Sequence, residues 1–164
     1  MNDFNITRDQ LEAVKRLFQD SSIDKLTAIA TTINKQQPNF TRVILALEMF
    51  GLDRIVVEDL LESVFIVYYA QTHLNKRTIP TISYGQVVKN VNWFGQFIDY
   101  YNQEISDHSS EVSQIKFLRD EIVLNFAVET LHNLFGDIKN TPKEVVFGYF
   151  GLLKGIEIGA EKSY

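Results

Sequence analysis

The sequence predicts an all-α fold, a single-domain bundle of about six or seven helices over residues 1–164. Three observations predict it. Apolar residues recur three and four apart through most of the chain. Ser and Thr stand three residues ahead of Gln or Glu where those patterns begin, which is the signature of a helix start. The long apolar stretches contain no turn residues until their ends, as buried helices require.

Ile6-Thr7-x-x-Gln10-Leu11 reads as the first start. Thr7 caps, Gln10 reaches back to close a capping box, and Ile6 packs on Leu11 as a hydrophobic staple. Leu11, Val14, Leu17 and Phe18 mark one face. Ser21 or Ser22 opens a second helix, with Ile23, Leu26, Ile29, Ala30 and Ile33 inward. Pro38 ends the following connection, and Thr41 caps a short helix that stops at Gly51.

Asp53 starts a long helix running to His73. Its stretch LLESVFIVYYA is apolar on nearly every side, which predicts a central position. A strand over 64–69 competes, but no turn residue breaks the run before Asn75. The segment 75–83, with Pro80, reads as a loop. Ser83-x-x-Gln86 starts a further helix, whose Val87, Val91, Phe94, Ile98, Tyr101 and Ile105 form a heptad seam suited to near-antiparallel packing. Residues 106–110 break the chain. Another long helix follows over 111–135 and ends at Gly136 as a left-handed cap. Together with the 53–73 helix it is expected to form the centre of the fold.

Thr141-Pro142-Lys143-Glu144 predicts a final helix to Ala160, with Thr141 capping, Pro142 in the first turn and Glu144 closing the box. Four of the eight glycines, Gly148, Gly151, Gly155 and Gly159, lie in it. Each costs a helix interior ~0.8–1 kcal/mol relative to Ala. At ~100° per residue they share one stripe, a groove that lets another backbone or a bulky ring approach closely. They are candidate helix–helix interface residues. The groove packs either inside the domain, against the 83–106 helix, or against a second copy about a twofold axis. Polar positions are few: Lys154 and Glu157 stand on the back of this helix, away from the groove.

Composition restricts function. The net charge of −5 and the lack of a basic face argue against nucleic-acid binding. The longest uncharged run, 63–75, is shorter than the ~20 residues of a membrane span. The first residues have no signal-peptide pattern, and the absence of cysteine excludes disulfides and thiolate ligands. A cytoplasmic location is the expectation. Asn5-Ile6-Thr7 and Asn39-Phe40-Thr41 match the glycosylation pattern, but both threonines read better as caps.

Catalytic motifs are lacking. Asn125, Glu129 and His132 share a stripe, and Glu129-x-x-His132 has the spacing of di-iron bundles. Neither His73 nor His108 has a matching Glu, so only a lesser metal site that adds Glu62 is conceivable; otherwise Asn125 is satisfied in the core and the other two lie near the surface. Glu62 also stands one turn from Glu58 and three residues from Asp59, and interrupts an apolar run where a buried carboxylate needs a partner. Tyr68, Tyr69, Trp93, Phe97, Tyr100 and Tyr101 either line a pocket for a small apolar or aromatic ligand or belong to the core.

The leading expectation is a non-catalytic helical interaction or regulatory module without a cofactor, whose partner is a protein or a second copy of itself. The alternatives are a sensor or carrier using the aromatic residues, and a metal-dependent helical-bundle enzyme using Glu62, Glu129 and His132.

Overall fold

The computed structural model describes residues 5–104 and 117–163, excluding the side chains of 100–104 and 138. It is an all-α bundle. Seven α-helices occur among the described residues: α1 Arg8–Asp20, α2 Ile23–Gln36, α3 Pro38–Leu45, α4 Arg54–Tyr69, α5 Tyr84–Glu104, α6 Glu121–Phe135 and α7 Lys143–Glu161. A 3₁₀ turn, Ala46–Phe50, follows α3, and a π-helical turn, Ala70–Leu74, continues α4. Among the described residues no helix is long and apolar enough to cross a membrane.

The first helix starts as the sequence predicts. Thr7 Oγ1 accepts the Gln10 amide at 3.2 Å, Gln10 Oε1 accepts the Thr7 amide at 2.9 Å, and Ile6 and Leu11 are both buried. Ser22 caps α2. Ser83 Oγ accepts the Gln86 amide at 3.1 Å as α5 begins. Gly51 ends the 3₁₀ turn with φ +85° and Gly136 ends α6 with φ +79°, a backbone region that a Cβ disfavours.

Other starts differ from expectation. Thr41 lies inside α3, with Pro38 in its first turn, and donates to Asn34 Oδ1. Thr141 does not cap α7: it is buried, and its hydroxyl donates to the Asp137 carbonyl at 3.2 Å. Pro142 occupies the cap position instead, with no side-chain hydrogen bond. The tertiary position of the 137–141 turn overrides the local box. Residues 117–120 are not helical; Asp120 caps α6 through the Ile122 and Val123 amides. The remainder of the predicted 111–135 helix, the seam residue Ile105 and the 106–110 break lie outside the described residues, as does the side chain of Tyr101. Ile23, expected inward, is 82% exposed. The helix predicted to reach His73 does so only through the π turn.

Helix α4 is central as predicted, buried at Val57 and Leu60 and continuously from Ser63 to Tyr68. Its companion is α7 rather than α6. From Tyr149 to Glu157 every residue of α7 is buried, because α5, α4 and α3 pack around it. Helices α1, α3 and α6 in turn pack against α4. The glycines make the closest of these approaches possible. A Cβ on Gly151 would lie 2.8 Å from Val91 Cγ2, and one on Gly159 would lie 2.7 Å from Ile79 Cγ2. One on Gly155 would stand 3.1 Å from Ile82 Cδ1, whereas one on Gly148 meets nothing nearer than Val43 Cγ1 at 3.6 Å.

Candidate functional site

The glycine stripe is occupied by its own chain. Gly151 faces α5, Gly155 and Gly159 face the 77–83 connection, and Gly148 faces α3 and the 3₁₀ turn. Of the two packings open to it, the one inside the fold is found.

Lys154 and Glu157 are not on a solvent face. Both side chains are 5% exposed, and they form an ion pair one turn apart. The Lys154 ammonium also donates to the Phe117 carbonyl at 2.8 Å and lies 5.1 Å from the Trp93 ring centre. Glu157 Oε1 accepts the backbone N–H groups of Arg119 and Asp120. Asp120 Oδ2 accepts the Ile6 amide at 2.6 Å. This network pins residues 117–120 and the start of α1 to the core. A signal was present in the sequence: opposite charges at i,i+3 within a run apolar on every side. Burial pushes the Asp120 carboxyl upward, opposed by its three backbone hydrogen bonds, while the Glu157 charge adds to the rise.

The candidate polar cluster does not converge. Asn125, Glu129 and His132 are exposed on α6, so Asn125 is not a core residue. Glu62 is exposed rather than buried and lines a separate cleft of about 220 Å³ with Asp59, Ser63 and Thr130. Its carboxyl is shifted up, by desolvation first and by the Asp59 charge second. Among the described residues no three His, Cys, Asp or Glu side chains are placed to hold a metal ion.

The candidate aromatics also separate. Tyr68 is core, edge-on to Phe40 at 5.4 Å. Trp93, 47% exposed, meets Phe117 edge-on at 5.2 Å, and Phe97 is half-buried near Phe117 at 6.2 Å. The side chains of Tyr100 and Tyr101 lie outside the described residues. Tyr69 lines a cavity beside α2.

Two further concave features lie among the described residues. The first is an apolar groove of about 460 Å³ between the α3 end, α5 and the start of α7. Val43, Phe50, Tyr84, Val88 and Phe147 line it, and Lys143 and Glu144 stand at one side. Phe50 is 58% and Tyr84 62% exposed, and Met49, next to Phe50, is 88% exposed. Sequence reasoning missed this groove, because its walls come from four elements, α3, the 3₁₀ turn, α5 and α7, with no shared motif. The second is a slot of about 220 Å³ between α2 and the π turn, lined by Lys25, Ile29, Thr32, Gln36, Tyr69 and His73. No protein-family model, curated protein or solved structure matches the chain.

Proposed function

We propose that this protein is a helical interaction module that self-associates through the apolar groove beside α7. The observation carrying this reading is that one patch holds both a hole and a protrusion. Phe50 lines the groove, and Met49 next to it projects into solvent. A twofold interface needs such self-complementarity, because each residue's contact is repeated in reverse. The charges agree. Lys143 and Glu144 are adjacent and of opposite sign, so a twofold axis can set each against the other's counterpart. Phe50, Tyr84 and Val88 are more than a third exposed together on one groove, which is the pattern of a patch that is covered in use.

Sedimentation velocity tests the reading. The wild type is expected to be a dimer at micromolar concentration, and Met49→Asp a monomer with unchanged helical content. Lys143→Glu weakens the dimer by placing like charges together, and adding Glu144→Lys restores it. A wild-type monomer, or a Met49→Asp protein that dimerises like wild type, overturns it.

A further inference from the structure

We propose that the slot between α2 and the π-helical turn binds a small planar organic acid, an aromatic carboxylate that also carries a hydroxyl. The slot is separate from the association groove: the two share no lining residue.

Its shape limits the ligand first. At about 220 Å³ it lies below the ~300–1,000 Å³ of drug-sized pockets, which restricts it to a single ring. One wall is aliphatic, from Ala28, Ile29 and Ile33 on α2. The other is aromatic. The rings of Tyr69 and His73 are stacked, 3.8 Å between centres and 4° from parallel, and Phe18 meets Tyr69 edge-on at 6.0 Å. Two such walls favour a flat molecule.

Polar groups around the slot then specify its chemistry. Lys25 makes no ion pair among the described residues, so its ammonium can accept a carboxylate as partner. Gln36 Oε1 accepts the Tyr68 hydroxyl at 3.0 Å, which orients the amide and leaves its N–H donors for a ligand oxygen. Thr72 Oγ1 donates to the Tyr68 carbonyl at 2.9 Å. Its single proton is thereby spent, and toward His73 Nδ1, 3.0 Å away, it accepts. Nδ1 therefore carries the ring proton, and Nε2 of the neutral ring is an acceptor. Burial first, and the neighbouring Lys76 charge second, lower the His73 pKa and favour that neutral form. A ligand hydroxyl supplies the donor Nε2 lacks.

The backbone here is also specialised. π turns are rare and concentrate at functional sites. This one carries His73 and is followed by Lys76 at φ +54°, a left-handed conformation uncommon outside glycine.

The test is a titration of isotope-labelled protein with 4-hydroxybenzoate and with benzoate, followed by NMR. Saturable shifts are expected at the Ile29 and Ile33 methyls and the His73 ring, with 4-hydroxybenzoate the tighter ligand. Lys25→Met, at an exposed position, weakens both by about tenfold or more, as loss of a charged hydrogen bond does. His73→Phe keeps the stack on Tyr69 and removes the preference for the hydroxylated ring while benzoate still binds. Failure to saturate up to the solubility of the probes, shifts confined to the Phe50 groove, or binding unaffected by Lys25→Met overturns the assignment.

Discussion

Lys154 and Glu157 pair inside the fold, one turn apart on its most enclosed helix. Each also binds the chain that leads into α6: Lys154 through the Phe117 carbonyl, Glu157 through the Arg119 and Asp120 amides. The desolvation of two charges is thus offset by backbone hydrogen bonds as well as by their mutual attraction, which is the condition under which a buried pair is tolerated.

Removing one partner leaves the other charge buried. Lys154→Met is expected to cost ~3–5 kcal/mol. Adding Glu157→Gln recovers a substantial part, because the amide oxygen still accepts from Arg119 and Asp120 without an uncompensated charge. Urea denaturation of the two variants measures the difference; a double variant no more stable than Lys154→Met would show that the charge is not the source of the loss.

The glycines of α7 should respond in opposite directions. Gly151→Ala forces a Cβ to 2.8 Å from Val91. Overpacking of this kind costs ~1–3 kcal/mol, which exceeds the ~0.8–1 kcal/mol of helix propensity gained. Gly148→Ala meets only ordinary contact at 3.6 Å, so it gains ~0.5–1 kcal/mol. Thermal unfolding in the Met49→Asp background separates these effects from assembly, since Gly148 also borders the groove. Equal effects of the two substitutions would contradict the packing described.

Asp120 predicts a pH dependence. Its folded-state pKa is raised, with burial the largest cause. Between its unfolded and folded values the native state therefore binds more protons than the unfolded chain, and stability falls as pH rises through the folded value. Relative to the non-titrating Asp120→Asn, the wild type should gain stability as pH falls from neutral toward the ordinary carboxylate range. Denaturation of both proteins across that range reads the difference. A difference independent of pH, or one that grows with pH, contradicts it.

Tyr149 is wholly buried, and its hydroxyl lies 2.9 Å from Ser63 Oγ, whose proton goes to the Leu60 carbonyl at 2.6 Å. Burial pushes the phenol pKa up to about 12, so it stays protonated and can donate to Ser63. Tyr149→Phe removes that donor at nearly constant volume and should cost ~1–2 kcal/mol. Ser63→Ala added to it should then cost little, which a double-mutant cycle tests.

Much of this architecture is legible in the chain. The capping box at Thr7 and Gln10 forms as written because it depends on four consecutive residues and little else. The similar pattern at Thr141 fails because the turn before α7 is itself packed, and its buried hydroxyl finds the Asp137 carbonyl first. The glycine stripe reveals a close approach, and Val91, Ile82 and Ile79 make it. The stripe cannot state which element approaches, since a groove without side chains accepts an internal helix and a foreign one alike. The slot is harder to foresee. Tyr69 and His73 are four apart, but the π turn that joins them has no compositional marker, and its opposite wall is an ordinary amphipathic helix.

The enclosure of α7 also bears on how the chain folds as it is made. The segment that α3, α4 and α5 surround follows all of them in sequence. While it is still being synthesised, the faces of Leu60, Val64, Val87 and Phe94 have no central helix to close on. At ~5–20 residues per second this interval is on the order of 5–20 s for the α4 surface. The earlier helices can form locally and pair, but the faces that α7 covers stay open until α7 has been made. Until then the nascent chain carries outward apolar surface that the finished fold covers, the general condition under which incomplete folds are prone to aggregate.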